Sequence, residues 1–244
     1  MSVDSLNKEF NDVIEVSFPR KNSLQKFFLS AHTKVLSVVM DSRESWFNGS
    51  RVVNERIIEY PQVFRWIREQ GRVLDIGCTT SRLPMQLASL GYETHGVDIR
   101  PYPFQHRNLN FHQVDILKWK TELQFDIVLA ISSLEHFGLG SYGISNQDTN
   151  LDQKAVAKIK TMMKPGGQLI VSVPFGQRGA NTGYRVYDYD LLQSVFAGYR
   201  WIDSKFFHRE EHDWIPGEME EVQQISSVVA PVRGVAVLNL ESLS

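Results

Sequence analysis

Cysteine is almost absent from this 244-residue chain, which contains only Cys78. A single cysteine cannot form an intrachain disulfide, so a disulfide-stabilised fold is excluded and a reducing compartment is favoured. The N-terminal residues 1–13 also lack the basic start and the apolar run of a secretory signal peptide. Together these absences predict a cytoplasmic protein.

Long apolar runs are missing as well. The most apolar early stretch, residues 24–40, is interrupted by Lys26, His32 and Lys34, whereas a membrane-spanning helix needs about 20 consecutive apolar residues. The apolar residues of this stretch recur at helical spacing, which predicts an amphipathic helix. We therefore expect no membrane span.

The chain has no marked excess of charge of either sign. Its 26 basic and 28 acidic side chains give a formal net charge of −2. Binding to the phosphates of nucleic acid requires clustered Lys and Arg, so we expect no nucleic-acid partner. With 42% hydrophobic residues the chain can bury a substantial core, and its length suits one domain with an extension.

The pattern of the chain changes near residue 71. Residues 1–70 are polar-rich and predict an N-terminal helical extension, whereas residues 71–244 alternate apolar runs with amphipathic segments. Strands are predicted at residues 72–76, 92–98, 109–114, 125–131, 168–173, 200–207 and 233–240, and helices at 54–70, 81–90, 151–163 and 188–196. The alternation predicts an α/β domain with a Rossmann-like, doubly wound, mostly parallel sheet of seven strands.

Polar residues follow the first three predicted strands, where parallel sheets bind ligands. A turn from Asp75 to Ser81 lets the backbone approach a ligand closely and precedes a helix with free amide donors. Asp98, about 20 residues further on, is placed to accept hydrogen bonds from ribose hydroxyls, and Asp115 can accept from an adenine amino group. The structural alternatives are an ordinary turn, a solvated acid and a helix cap.

Five segments carry a resemblance to a known family. They are VLDIGC, GVDIR, VDI, FDIVLAISSLEHFG and MMKPGGQLIVSVP, and they resemble the class I S-adenosylmethionine-dependent methyltransferases in content, order and spacing over residues 72–207. The resemblance implies S-adenosylmethionine as cofactor and methyl transfer to a small molecule. Residues 133–140 further resemble a subgroup found beside sugar and polysaccharide genes, which implies a sugar or glycan precursor as acceptor.

The resemblance also assigns cofactor contacts. The cofactor's amino acid part falls to the turn that contains Asp75, its ribose to Asp98 and its adenine to Asp115. The full set of implied cofactor-binding residues is Asp75, Gly77, Cys78, Thr79, Ser81, Asp98, Ile99, Asp115, Ile116 and Ser132. Ile99 and Ile116 are expected on the two faces of the adenine ring.

The glycine-rich turn departs from the family pattern. The family usually has three alternating glycines, whereas here Thr79 and Ser81 follow Gly77. Their side chains either crowd the cofactor or donate hydrogen bonds to it, so a non-catalytic cofactor-binding or scaffold protein is the main alternative.

An NAD-dependent oxidoreductase is disfavoured because the G-x-G-x-x-G turn is incomplete. Methylation of DNA bases is disfavoured because the Pro-rich aromatic motif of those enzymes does not follow the fourth strand.

The residues after the fourth strand are the candidates for chemistry. His136 can accept a proton near pH 7 and is the candidate general base, with Glu135 orienting it or contacting the acceptor. The alternative is that both residues only line the pocket. Tyr142 lies in the glycine-rich loop that follows and is expected to contact the acceptor.

The loop after the fifth strand supplies further acceptor candidates. Arg178, Tyr184 and Arg185 suit a polar or anionic acceptor, although Arg185 can instead pair with Asp188 or Asp190.

Residues 208–213 contain paired histidines, but Pro216 and Gly217 follow closely and no second ligand cluster is evident. We interpret this segment as a solvated loop and expect no metal. The sequence leaves a homodimer open.

Overall fold

The computed structural model describes residues 54–139, 150–211, 213–228 and 231–243, within a compact unit that spans residues 53–244. The strands are β1 (Arg72–Ile76), β2 (Glu93–Asp98), β3 (Leu109–Gln113), β4 (Phe125–Ile131), β5 (Met163–Pro174), β6 (Gly179–Ala180), β7 (Arg185–Val186), β8 (Tyr199–Glu210), β9 (Asp213–Gly217) and β10 (Gly234–Ser242). The helices are α1 (Arg56–Trp66), α2 (Leu83–Ser89), α3 (Leu151–Met162), α4 (Tyr189–Val195) and α5 (Met219–Val222), with a short 3₁₀ helix at Leu134–His136. The predicted helix at 24–40 and Tyr142 lie outside the described residues.

The main sheet has the strand order β3-β2-β1-β4-β5-β10-β8-β9. Strands β1 to β5 pair in parallel, whereas β10 runs antiparallel to both β5 and β8. The predicted α/β class with a Rossmann-like, mostly parallel sheet is confirmed. Because the order reverses between β1 and β4, their carboxyl ends form the crevice in which such sheets bind ligands.

The sheet has eight strands in the described part of the chain rather than the seven predicted. Residues 208–210, which the sequence suggests are a loop, continue β8, and β9 pairs with them in an antiparallel hairpin. Pro216 signals a turn in the sequence, but it is tolerated in β9 because this strand lies at the sheet edge.

Strands β1 and β4 are buried on both faces, because their side chains alternate between two hydrophobic clusters. Leu74 and Val128 belong to a cluster that includes Ile159 of α3, whereas Val73 and Ile127 belong to a cluster that includes Leu87 of α2. This two-sided cover explains why FDIVLAI is almost continuously apolar, since parallel strands covered by helices on both faces are buried throughout.

Helix α1 packs onto the same compact unit as the sheet. Val63 is fully buried in the cluster with α2, and Glu59 is fully buried although it is charged. This helix, the last one of the expected extension, shares the core of the sheet, and the domain boundary at residue 70 stays a prediction. A separate N-terminal extension stays a prediction for residues before 54. In the described part of the chain, no helix is both long and apolar enough to span a membrane.

Helix α4 begins as the sequence predicts, with Asp188 as its N-cap. The Asp188 carboxylate accepts from the backbone N–H of Leu191 at 2.9 Å and forms two hydrogen bonds with Arg178, at 2.6 and 2.9 Å. Burial alone would raise the pKa of Asp188, but the hydrogen bonds from Arg178 and Leu191 lower the pKa overall. The cap is therefore charged at neutral pH.

We expect Asp188→Ala to lower the free energy of unfolding by about 1 kcal/mol at pH 7, because α4 loses its N-cap. Since the pKa of Asp188 is lower in the folded state, the difference from wild type should shrink as the pH falls through that pKa. Urea denaturation measures both effects. Asp190→Ala, in the same helical turn but not the cap, is the control. Equal losses for the two variants would contradict the capping role.

Candidate functional site

A cavity of about 380 Å³ lies at the carboxyl ends of the parallel strands. Its wall includes residues that follow β1, β2, β3, β4 and β5, and two residues at the start of α1. The predicted site residues that line it are Gly77, Asp98, Ile99, Asp115, Ile116, Ser132, Glu135, His136 and Tyr184. The size and the mixed polar and apolar lining are typical of a small-molecule pocket.

Gly77 forms the wall at the end of β1. Its backbone is left-handed, with φ of 72°, and its N–H donates to the carbonyl of Val97 at 2.9 Å. A Cβ atom at this position would lie 2.2 Å from the Ser133 hydroxyl oxygen and 2.9 Å from the Ser133 Cβ. Only glycine fits here without displacing Ser133, which keeps the backbone close to the cavity.

The sequence predicts Asp75 as a cofactor contact, but in the structure it is buried beside the cavity and does not line it. It directly precedes Ile76 and Gly77, which do line the cavity. Burial raises the pKa of Asp75 to about 7, although Arg56 opposes the shift. Its Oδ2 atom has no hydrogen-bond partner among the described residues. A buried carboxyl of this kind is completed by a cation or a strong donor.

Asp98 and Asp115 line the cavity after β2 and β3. The Asp98 carboxylate accepts from the backbone N–H groups of Thr79 and Arg100, both at 2.9 Å, and pairs with the Arg100 side chain at 3.4 Å. Asp115 accepts from the N–H of Leu117 at 3.0 Å. Asp115 therefore caps a turn, as one sequence interpretation has it, and it also lines the cavity, while its contact to adenine stays a prediction.

Three predicted turn residues are anchored in the protein instead of lining the cavity. The Thr79 hydroxyl donates to the carbonyl of Arg100 at 3.1 Å, and the Ser81 hydroxyl accepts from the N–H of Leu83 at 3.1 Å. Cys78 is fully buried, and burial raises its thiol pKa. The two side chains that replace family glycines thus have partners within the fold and leave the cavity open.

Helix α1 contributes residues that sequence reasoning missed. Arg56 lines the cavity, and its guanidinium is 2.7 Å from the carboxylate of Glu59. Glu55 also lines the cavity. The i,i+3 spacing of Arg56 and Glu59 indicates an ion pair on a helix, but nothing in the sequence indicates that Glu59 is buried.

Glu135 and His136 lie in the 3₁₀ helix after β4 and both line the cavity. The Nδ1 atom of His136 donates to the carbonyl of Gly183 at 2.5 Å, because a carbonyl only accepts. In the neutral ring this leaves the lone pair on Nε2, which is 3.7 Å from Glu135 Oε1. Burial lowers the pKa of His136 and raises the pKa of Glu135 to about 8, so both side chains are neutral at pH 7.

The two arginines after β5 do not line the cavity, contrary to the predicted acceptor contacts. Arg178 pairs with Asp188 at the start of α4. Arg185 lies in β7, where it is buried and pairs with Asp152 of α3. Asp152 is far from Arg185 along the chain, and the acids near Arg178 do not reveal which of them it contacts. The two ion pairs could therefore not be predicted from the sequence. The described residues contain no group of three or more side chains able to hold a metal ion.

Comparison with known proteins adds a family and a fold. The sequence profile of a family described as "Caenorhabditis protein of unknown function, DUF268" matches residues 89–229, more than half of the chain. No curated protein sequence matches the chain.

Solved structures share the fold at low sequence identity. A 1,6-didemethyltoxoflavin-N1-methyltransferase from Burkholderia thailandensis, solved with its substrate and S-adenosylhomocysteine, has a TM-score of 0.52 and 16% identity, covering 94% of each chain. An S-adenosylmethionine-dependent methyltransferase from Methanosarcina mazei has a TM-score of 0.52 and 15% identity, covering 75% of this chain and 98% of that one. The N-methyltransferase NodS from Bradyrhizobium japonicum, solved with S-adenosylhomocysteine, has a TM-score of 0.50 and 13% identity, with coverages of 76% and 88%. These likenesses show the fold of class I methyltransferases.

We expect Gly77→Ala to destabilise the protein by more than Gly91→Ala. Both glycines have positive φ, 72° and 97°, but a Cβ atom at Gly91 would meet nothing within 4 Å. Gly91→Ala should therefore cost only the backbone strain, on the order of 1 kcal/mol, whereas Gly77→Ala adds the clash with Ser133. Urea denaturation of the two variants separates the cost of backbone strain from the cost of the clash with Ser133. Equal costs would show that Ser133 does not constrain the turn.

Proposed function

The chain belongs to the family described as "Caenorhabditis protein of unknown function, DUF268", and on this premise we propose that it is an S-adenosylmethionine-dependent methyltransferase acting on a small molecule. One observation carries the proposal. Three acids at the carboxyl ends of neighbouring strands, Asp75 near the end of β1, Asp98 at the end of β2 and Asp115 after β3, lie in or beside one cavity at the switch point of the sheet. The crystallised neighbours with bound S-adenosylhomocysteine support the same ligand.

The residues of the cavity fit the cofactor part by part. The unpartnered Oδ2 of Asp75 suits the cofactor's ammonium group, and Arg56 is the nearby cation for its carboxylate. Asp98 retains capacity for a ribose hydroxyl, since a carboxylate accepts about four hydrogen bonds and three are used within the protein. Ile99 and Ile116 line the wall beside Asp115, where they would hold the adenine ring.

S-adenosylmethionine supplies an activated methyl group on a positively charged sulfur, so the protein mainly has to align the acceptor and exclude water. The ring of His136 is oriented by the carbonyl of Gly183, and its Nε2 lone pair can take a proton from an acceptor hydroxyl. Glu135, neutral at pH 7, lies beside it and can hydrogen-bond the acceptor. Tyr184 lines the same wall and donates to the carbonyl of Ser227 at 2.8 Å.

Sugar and glycan precursors are the acceptor class we propose to test first, because the segment 133–140 carries the subgroup resemblance.

The alternative of a non-catalytic scaffold rested on crowding by Thr79 and Ser81. Since both side chains have partners within the fold, that argument loses its basis. We further propose that the protein acts in the cytoplasm, where its single cysteine stays reduced.

Wild-type protein should bind S-adenosylhomocysteine in isothermal titration calorimetry, and Asp98→Ala should weaken binding by about 1 to 3 kcal/mol through loss of charged hydrogen bonds. Asp203→Ala, which changes a half-exposed acid on β8 away from the cavity, is the matched control. No binding by the wild type would overturn the proposed function. Equal affinity for wild type and Asp98→Ala would overturn the ribose assignment alone.

His136→Gln should lower turnover by about 10²- to 10⁴-fold once an acceptor is found by screening sugar and glycan precursors with labelled cofactor. Its affinity for S-adenosylhomocysteine should stay unchanged. Because burial lowers the pKa of His136, its contribution to the rate at saturating cofactor should be complete at pH 7 and should be lost as the pH drops through that lowered pKa. His106→Gln, outside the cavity lining, is the control. Full activity of His136→Gln would remove it as the base.

A further inference from the structure

We propose that Glu59 of α1 is a positioning residue for cofactor binding, acting through Arg56 and Ser132. The inference rests on the proposed function, since it concerns the cofactor's amino acid end. Glu59 is 0% exposed and is not part of the cavity lining, so it cannot touch a ligand itself. Arg56 and Ser132, which it contacts, both line the cavity.

The carboxylate of Glu59 joins three elements of the fold. Its Oε2 atom is 2.7 Å from Arg56 Nη1. Its Oε1 atom accepts from the hydroxyl of Ser132, after β4, at 2.5 Å and from the hydroxyl of Ser172, in β5, at 2.6 Å. Among the described residues, the hydrogen-bond partners of this carboxylate are all donors, which favours its anionic form although burial raises the pKa of Glu59. The carboxylate is therefore held in one place from three sides.

Ser132 is held in a backbone conformation that a serine rarely adopts. Its φ is 45°, and its N–H donates to the Ser172 hydroxyl at 2.9 Å. A non-glycine residue in this region persists only where its surroundings fix it. The hydrogen bond from the Ser132 hydroxyl to Glu59 supplies one such constraint, so Glu59 shapes the cavity wall at the end of β4.

Arg56 depends on Glu59 for its direction. The guanidinium also donates to the carbonyl of Ile131 at 3.3 Å, so it lies over the end of β4. Without the Glu59 carboxylate, the carboxyl groups that still interact with Arg56 in or beside the cavity are those of Glu55, Asp75 and Glu135. An Arg56–Asp75 pair would remove together the two groups that we assign to the cofactor's carboxylate and ammonium. Glu59 thus directs Arg56 away from these acids and keeps the guanidinium available to the ligand.

The test is the affinity for S-adenosylhomocysteine of Glu59→Gln, Arg56→Ala and the double variant, measured by calorimetry on the full chain. Glu59→Gln should raise Kd about tenfold, the scale of one lost charged hydrogen bond. Glu59→Gln should raise Kd by a smaller factor in the Arg56→Ala background than in the wild type, because the part of its effect that passes through Arg56 is already lost. Asp152→Asn, which breaks the other buried arginine–carboxylate pair, should lower the melting temperature but leave Kd unchanged.

The outcomes separate the two proposals. Binding by the wild type with an unchanged Kd for Glu59→Gln overturns the role of Glu59 and leaves the function standing, as do additive effects in the double variant. Absence of binding by the wild type overturns the function and this inference with it. If Glu59→Gln does not fold, Glu59→Asp keeps the charge but retracts the carboxylate, and the same rise in Kd is expected. An unchanged Kd for a folded Glu59→Asp then overturns the inference.

Discussion

The burial of carboxylates at the carboxyl ends of β1 and β2 is the constraint on which the site depends. A buried negative charge is tolerated only where donors or a cation compensate it. Asp98 obtains that compensation from the backbone around Thr79 and Arg100, whereas Asp75 keeps one oxygen without a partner and a pKa of about 7. The fold therefore compensates the charge of Asp98 within the protein and leaves one carboxyl oxygen of Asp75 without a partner among the described residues.

Much of this arrangement follows from local sequence patterns. The run Phe125–Ile131 is apolar because β4 is covered on both faces, and the structure has the predicted bounds for that strand. Strands that alternate with helices run parallel, so their carboxyl ends, and the acids located there, lie at the same edge of the sheet. That is why the sequence could place Asp98 and Asp115 close together, and both line one cavity in the structure. The N-cap role of Asp188 was predictable from its position before the helix.

The rest depends on contacts between distant residues. Glu59 meets Ser132 and Ser172, which are 73 and 113 residues away along the chain. A charged residue on a short helix is usually solvated, so the sequence favours an exposed Glu59. Arg185 was predicted to bind a polar or anionic acceptor or to pair with Asp188 or Asp190, yet it is buried against Asp152. Residues 208–210, predicted as a loop, likewise continue β8, because they pair with β9 in the folded sheet.

A crystal structure of the protein grown with saturating S-adenosylhomocysteine tests the central claim most directly. Our account predicts density for one ligand in the cavity, with the ribose at Asp98, the adenine near Asp115 and the ammonium group at Asp75. Density for the ligand at another surface, or a cavity that stays without it at saturation, would contradict the claim that these three acids serve a single adenosyl ligand.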